Sequence, residues 1–460
     1  LRNFAIALLL PAFRALTSII FHLNLCRPES CRGCLNLAVF PCIGISMTSQ
    51  TDFDIIIAGG GLAGGSLAAA LAGSDLRVAV IEPYTMDSLE QPGYDERTVA
   101  LTYSGREIFS ETGVWDRINE LGAEPIVDIH VSNRGHFGMV HLRAKDAGTE
   151  ALGYVIPTRV IGEVINQQLT NCDNVELICP ATVSKICDLA DMTRVSIEES
   201  GNSQILHASL AVIADGGRSN LIAANQTIDY DQRALLTIVR ADRPHHGRAY
   251  ERFTDEGPLA LLPHSGQRYA VVWTSSPQRL EQRMAMSDMD FVDVLQEAFG
   301  GRAGILSKPS ARKSYPLSRG TVDRPVSGRS VMIGNAAHIV HPVAGQGFNL
   351  GLRDVSILAD LILQAQDEGT DVGDTTLLDQ YVSMRQRETD RVQQFTHGLI
   401  SLFSHSSPVT ALARNLAMSG IELLTPAKRF LLRRTMGLYA RDQTLRSSPT
   451  RAKRTAGKVR

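Results

Sequence analysis

Three apolar runs along the chain end in glycine, and each reads as a buried strand meeting a tight turn. "DFDIIIAGGGLAGGSLAAALA" gives a strand over Phe53–Ala58, a glycine turn, then a helix rich in Ala and Leu. "ASLAVIADGGRSN" runs into Asp215-Gly216-Gly217-Arg218-Ser219, and "RSVMIGNAAH" into Gly334-Asn335. A fourth run, "RVAVIE", ends in Glu82. Elsewhere the period changes. "IVDIHVS" (126–132) alternates as a half-buried strand should, and "LALLP" followed by "RYAVVWTS" (268–275) reads as a strand pair. Beyond about residue 355 the pattern is long and helical. The elements predict an α/β protein. In a doubly wound sheet ligands sit beyond the carboxyl ends of the strands, so the three glycine turns are expected to converge on one extended cofactor.

Gly59, Gly61 and Gly64 satisfy G-x-G-x-x-G, with Leu62 and Ala63 inside the motif. The first glycine permits the tight turn, the second lets the backbone approach a pyrophosphate, and the third allows close helix–strand packing. The helix start then offers free N–H groups and a positive dipole end to the phosphates. Glu82 lies eighteen residues past Gly64, where a carboxylate should meet ribose hydroxyls. A lone G-x-G-x-x-G says little; set between strand and helix, with its acid at this distance, it predicts a dinucleotide site. Only one such fingerprint occurs, whereas enzymes with a separate nicotinamide domain usually carry two.

A length of 460 residues suggests two or three domains, and 44% hydrophobic with 20% charged residues is globular. A net charge of −2 gives no general argument for nucleic acid. The charge is uneven, however: Lys428–Arg460 holds eleven Lys or Arg and one acid, Asp442. That tail has two readings, a solvated terminus or attraction to an anionic membrane surface. The segment 399–440 likewise reads either as a packed helical pair or as a helix lying on a membrane. At the other end, the apolar run of residues 1–24 is broken by Pro11 and Arg14 and is too short to span a bilayer. Residues 1–46 are expected to be a spurious extension before Met47, with a targeting segment as the alternative.

Four of the seven cysteines (Cys26, Cys31, Cys34, Cys42) lie in that extension, and "CRGC" lacks a second ligand pair for zinc. Cys172, Cys179 and Cys187 read as buried thiols of a reducing compartment. His338 and His341 form HxxH without a third ligand nearby, and Pro342 disfavours a helix at His341. No metal site is expected.

The fingerprint with Glu82, the "ADGGRS" turn and "IGNAAHIVHPVAGQGFNLGLRD" together resemble the three signatures of the FAD-dependent aromatic hydroxylases, the para-hydroxybenzoate hydroxylase family. "QPGYDERTVAL" (91–101), "IHVSNRGHFG" (129–138) and "GRAYERFTDEGPLALLP" (247–263) resemble its ubiquinone-biosynthesis branch, nearest to the 2-octaprenyl-6-methoxyphenol hydroxylase type. The likeness runs from about Asp52 to Gly437.

This resemblance implies a Rossmann-like FAD-binding domain in three pieces (52–125, 152–224 and 318–398) with an inserted, mainly β substrate domain (126–151 and 225–317). Helices over 399–445 and a basic tail over 446–460 follow. It implies an NAD(P)H- and O2-dependent monooxygenase that hydroxylates a polyprenylated phenol through a flavin hydroperoxide. The implied cofactor contacts are Gly59, Gly61, Leu62, Ala63, Gly64, Glu82 and Arg97, then Asp215 and Gly216. Gly334, Asn335, Pro342, Gly345, Gln346, Gly347, Phe348 and Asn349 complete them, with a helix starting near Phe348 aimed at the flavin. Arg159 is one place out of register with another FAD-contacting arginine of the family. No general base stands out; Tyr269 and His264 are candidates that sequence does not rank. The resemblance also implies a cytoplasmic enzyme, peripheral at the inner face of a bacterial membrane and associated with other ubiquinone-biosynthesis proteins. Two other readings stay open: a flavin-dependent prenyl reductase, and a non-catalytic prenyl-lipid carrier on the same fold.

Overall fold

The computed structural model describes residues 51–85, 97–218, 221, 226–322, 324–339, 345–404 and 408–438. The chain opens with β1 (Phe53–Ala58), α1 (Leu62–Leu71) and β2 (Val78–Ile81), then β3 (Thr98–Thr102), α2 (Tyr103–Glu111), α3 (Trp115–Gly122) and β4 (Glu124–Ile126). The hairpin β5 (Asp128–Asn133) and β6 (Met139–Arg143) follows, then α4 (Ala144–Ala147), β7 (Gly153–Pro157), α5 (Thr158–Thr170) and β8 (Val175–Ile178). A meander of β9 (Ala181–Asp188), β10 (Thr193–Glu199) and β11 (Asn202–Ile213) leads to β12 (Gln226–Ala241), β13 (Arg248–Thr254), β14 (Gly257–His264) and β15 (Arg268–Ser275). Next come α6 (Pro277–Ala285), α7 (Asp288–Phe299), β16 (Leu306–Ser307) and β17 (Lys313–Thr321). The chain then runs through β18 (Val326–Ser327), β19 (Ser330–Met332), β20 (His338–Ile339), α8 (Gln346–Glu368), α9 (Thr375–Ser404), α10 (Pro408–Leu423) and α11 (Thr425–Thr435).

The first sheet has the order β18-β19-β11-β1-β2-β8, and β19, β11, β1, β2 and β8 are mutually parallel. β2, most of β1 and the second half of β11 are apolar because both faces are covered there. Along β1, Ile55 and Ile57 pack with Leu67 of α1 and Leu358 of α8, while Ile56 faces Val195 and Ile197 of the meander. β11 changes role along its length. Its first half pairs antiparallel with β10 and is largely exposed; from Ala208 it runs parallel to β1 and is buried.

The second sheet has the order β20-β17-β12-β15-β14-β13-β5-β6, with β16 beside β12. It is antiparallel apart from the β13–β5 pair. One face is closed by α6 and α7: Leu235, Tyr250, Leu261, Val271 and Trp273 pack on Leu280, Phe291 and Phe299. Ser287 caps α7 by accepting from the Asp290 N–H at 3.2 Å. α10 and α11 lie against β6, with Val140 and Leu142 meeting Met418, Leu432 and Met436. A small sheet, β3-β7-β4, stands between the large ones, and its Ile126 and Val155 pack on Ala249 of β13.

Two expectations change in detail. The alternating stretch 126–132 is not one strand: β4 ends at Ile126 in the small sheet, and β5 begins at Asp128 in the large one. The helix expected near Phe348 starts at Gln346, because Gly345 takes a left-handed conformation (φ 62°) that turns the chain directly into it. The "LALLP" and "RYAVVWTS" strands pair as expected, with Leu261 opposite Val271. Cys172, Cys179 and Cys187 form no disulfide. No described helix is long and apolar enough to cross a membrane. Residues 1–50 and the basic tail from 439 lie outside the described residues.

Candidate active site

The parallel register brings the glycine turns to one edge. Ala58 is level with Ile81 on one side and Ile213 on the other, and Ile213 is level with Met332. The chain leaves that edge at Gly59, Glu82, Ala214 and Ile333. The turns also touch. A side chain at Gly59 (φ 107°) would meet the Ala214 carbonyl oxygen at 2.7 Å, and one at Gly334 (φ 61°) would meet the Ala63 Cβ at 3.0 Å. Gly64 is tighter still: its Cβ would stand 1.9 Å from the Gly59 carbonyl oxygen. Gly59 and Gly64 let backbone touch backbone, and Gly334 lets its turn rest on Ala63.

Glu82 is 6% exposed, and its Oε2 accepts the Gly60 N–H at 2.7 Å. Burial pushes its carboxyl above the ordinary range, against the lowering pull of the Gly60 and Tyr84 N–H groups. The carboxyl is therefore fixed beside the turn.

The edge fits a dinucleotide such as FAD. Nothing stands within 4 Å of a Cβ built at Gly61 or Gly216, so both backbones face open space. α1 and α8 each start without a side-chain cap and without an acid in the first turn. Their leading N–H groups have no intrahelical partner and carry the positive dipole end, a natural seat for phosphate or an anionic ring. Leu62, Ala63 and Gly64 form the first turn of α1; Gln346, Gly347 and Phe348 that of α8.

The remaining predicted residues fall as follows. Asp215 turns on itself, its Oδ1 accepting the Gly217 N–H at 2.9 Å. Asn335 sits exposed in a single 3-10 turn, Gly334–Ala336. Arg97 places its guanidinium 4.9 Å from the centre of the Tyr315 ring on β17. Arg159 is exposed at the start of α5. Pro342 and His341 lie outside the described residues.

Asn349 has a structural part. Its Oδ1 accepts from the Thr102 N–H (2.8 Å) and hydroxyl (2.9 Å), and its Nδ2 donates to the carbonyls of Ala100 and Gly345 (2.8 Å each). The amide is saturated within the protein. Asn349 locks Gly345 and the start of α8 onto β3.

His338 is spent on Asp354, with Nε2 2.6 Å from Oδ2. The same carboxylate accepts the Gly334 N–H at 2.8 Å and pairs with Arg385 of α9, which also holds Glu388 at 2.6 Å. Arg353 lies 3.7 Å from Glu388 and donates to the Gly437 carbonyl. Asp354, Arg385 and Glu388 are 1%, 3% and 7% exposed. Burial alone would raise the Asp354 carboxyl, but Arg385, His338 and the Gly334 N–H hold it below the usual range. This network pins the third glycine turn to α8, α9 and the end of α11. Sequence reading missed it; the Arg385–Glu388 spacing of three was the one local sign of it.

Of the two candidate bases, Tyr269 belongs to the core behind the sheet, 1% exposed among Tyr250, Trp273 and Phe299. Burial and then Tyr250 push its hydroxyl well above the ordinary value, which unsuits it to take a proton. His264 ends β14 with Nδ1 3.2 Å from the Ser265 hydroxyl.

Residues 52–396 match the protein family described as "FAD binding domain". The chain is 34% identical over 388 residues to ubiquinone hydroxylase UbiL of Rhodospirillum rubrum, covering 84% of this chain and 89% of the relative. It is 28% identical over 401 residues to 3-demethoxyubiquinol 3-hydroxylase of Escherichia coli, covering 85% of this chain and 100% of the relative. The fold matches that of p-nitrophenol 4-monooxygenase from Pseudomonas putida with a TM-score of 0.69 at 19% identity, over 84% of this chain and 99% of that one.

Proposed function

The chain belongs to the FAD-dependent hydroxylases of ubiquinone biosynthesis, and on that premise we propose that it hydroxylates the ring of a 2-polyprenyl-6-methoxyphenol, using O2 and NAD(P)H. One observation carries the reading. The third glycine turn leaves the parallel sheet at Met332 and enters the second sheet at His338, where β20 pairs with β17. On this reading a flavin seated on that turn lies beside β17 and abuts the face of the second sheet turned away from α6 and α7. FAD, when bound, supplies the oxygen-transfer chemistry; the protein orients the ring and keeps water away.

On this reading the pieces 52–125, 152–224 and 318–398 hold FAD, and 126–151 with 225–317 hold the substrate. Glu82 takes the ribose, Arg97 and the Asp215 turn the phosphates, and Asn335 the ribitol. Pro342 and the backbone of Gly345–Phe348 lie against the flavin ring. The purified holoprotein should be yellow and convert a short-chain 2-prenyl-6-methoxyphenol to a product one oxygen heavier, with NAD(P)H consumed. Product mass and 18O2 incorporation check this. Reduction of a prenyl double bond, or binding without turnover, would replace it by the reductase or carrier reading.

A bilayer-dissolved tail calls for a surface that meets lipid. Leu416, Leu423, Leu424 and Phe430 of the α10–α11 pair are exposed, Leu423 by 82%, beside exposed Arg429 and Arg433. We read this corner as the contact with the inner face of a bacterial cytoplasmic membrane. Changing Leu423, Leu424 and Phe430 together to Ser should lower co-sedimentation with vesicles containing anionic lipid by about tenfold, roughly 0.5 kcal/mol per side chain from partial burial. Unchanged sedimentation would remove the corner from consideration.

A further inference from the structure

The second sheet carries a carboxyl, Glu251, in the middle of β13. β13 alternates strictly: Tyr250 and Arg252 face α7, so Ala249, Glu251 and Phe253 face the other way. Register places Glu251 between Val131 of β5 and Ala260 of β14; Ala260 is level with Val272 of β15, and Val272 with Leu236 of β12. Glu251 is thus the one ionisable group in a transverse row of five strands, and every neighbour in the row is aliphatic. Val131, Val272 and Leu236 are only half-buried, as is Leu262 beside them, although their strands lie inside the sheet. This is an apolar floor with room above it.

The floor has walls on two sides. α10 and α11 close over Val131 and Ile129 at the β5–β6 edge, and the β3-β7-β4 sheet closes over Ala249 and Leu262. That small sheet also holds the start of α8, through the Asn349 bonds to Ala100 and Thr102. The open floor and the candidate flavin seat therefore share a wall. The Glu251 carboxyl is half-buried with no hydrogen bond or ion pair to the described residues, and burial alone pushes it up to about 7. The ionisable side chains around the floor include, among the described residues, Arg414 of α10, His264 at the end of β14, Glu124 of β4 with His245 at 3.8 Å, and, at the β17 edge, Lys313 and the Arg97 guanidinium over Tyr315. Lys313 lies four strands from Glu251, roughly 19 Å at normal strand spacing. A lone carboxyl kept half-buried on an apolar floor has a desolvation cost that core packing does not require.

We propose that Glu251 is the catalytic base of the hydroxylation, accepting the proton of the substrate's phenolic O–H. The role rests on the phenol reading above. As one atom of O2 bonds to the ring carbon, the O–H bond breaks, the proton passes to Glu251, and the phenol oxygen becomes a ring ketone. Loss of the ring hydrogen as a proton, taken up by the second oxygen atom, restores aromaticity, and Glu251 returns its proton to the ketone oxygen. The second oxygen atom leaves as water, and NAD(P)H supplies the electron pair. Only the carboxylate form can begin this cycle, so activity should rise as pH climbs through Glu251's titration.

The test uses the FAD-loaded enzyme and a short-chain 2-prenyl-6-methoxyphenol, comparing wild type with E251Q and E251D from about pH 5 to pH 9. E251Q should keep its flavin and its KM within about threefold, lose kcat by about 100-fold or more, and lose the acid limb near neutrality. E251D should recover part of kcat and restore the limb. An E251Q enzyme within about threefold of wild-type kcat at every pH, or one with an unmoved acid limb, overturns the role. Wild-type enzyme that fails to oxidise the phenol overturns the substrate reading and this role with it; wild-type turnover matched by E251Q overturns the role alone.

Discussion

Gly64→Ala should yield protein that purifies without flavin. The added methyl group would stand 1.9 Å from the Gly59 carbonyl oxygen, far inside contact distance. Gly59 cannot retreat, because its own Cα is already packed on Ala214 and Asp215, where even a Cβ would meet atoms at 2.7–3.0 Å. The push therefore passes from α1 to the first turn and on to the second. It also shifts Ala63, on which Gly334 rests. One methyl group thus disturbs all three turns of the dinucleotide edge, where overpacking typically costs about 1–3 kcal/mol even without a ligand at stake. The flavin-to-protein ratio of the purified variant checks this, with the denaturation midpoint as a second measurement. Stoichiometric flavin in G64A would show that the edge is not the cofactor's seat. Gly61→Ala is the control: open space lies above Gly61, so the fold should survive and only ligand affinity should fall.

The parallel sheet was legible because buried strands leave unbroken apolar runs, and β1 has the bounds expected of it, Phe53–Ala58. The glycine spacing was legible for a related reason: Gly59 and Gly64 answer backbone contacts that no other residue permits, and Gly61 leaves open space for a ligand. What stayed hidden are pairings across long separations. Nothing near Asp354 in sequence names Arg385, and nothing near Asn349 names Thr102. Asn349 reads as a cofactor residue because it lies in the right segment; only the fold brings its amide to Thr102 and Ala100 as a clasp. Glu251 was legible in principle. It occupies an apolar phase of an alternating strand, between Ala249 and Phe253, and a charged residue in that phase asks for an explanation. The split of 126–132 between two sheets left no mark in the pattern, since Val127 continues the run while the chain changes partners.

Removing Arg385 should be the most destabilising single change in the described network. Its guanidinium stands between Asp354 and Glu388, all three nearly out of water, and it also donates to the Leu350 carbonyl at 3.1 Å. Arg385→Leu fills similar space but leaves two buried carboxylates whose remaining cationic neighbours among the described residues are Arg353 and His338. Breaking a buried pair in this way costs about 3–5 kcal/mol, against about 1 kcal/mol or less for an exposed one. The pH dependence gives the prediction its sign. In the wild type the Asp354 carboxyl is held low, so its contribution is in place above the unfolded value, near 3.9. It is lost as pH falls through the lower folded value. Without Arg385, burial dominates and the folded carboxyl titrates above the unfolded one. The variant should therefore lose stability as pH rises through that value. Wild type and variant diverge most at neutral pH and converge in acid. Urea unfolding at several pH values checks both the size and the slope, and a deficit below about 1 kcal/mol at pH 7 would show the network to be dispensable. Because Asp354 also holds the Gly334 N–H, the same variant should release flavin more readily before it unfolds. Stability and cofactor retention then fail together, as they must if one carboxylate supports both the helical core and the third glycine turn.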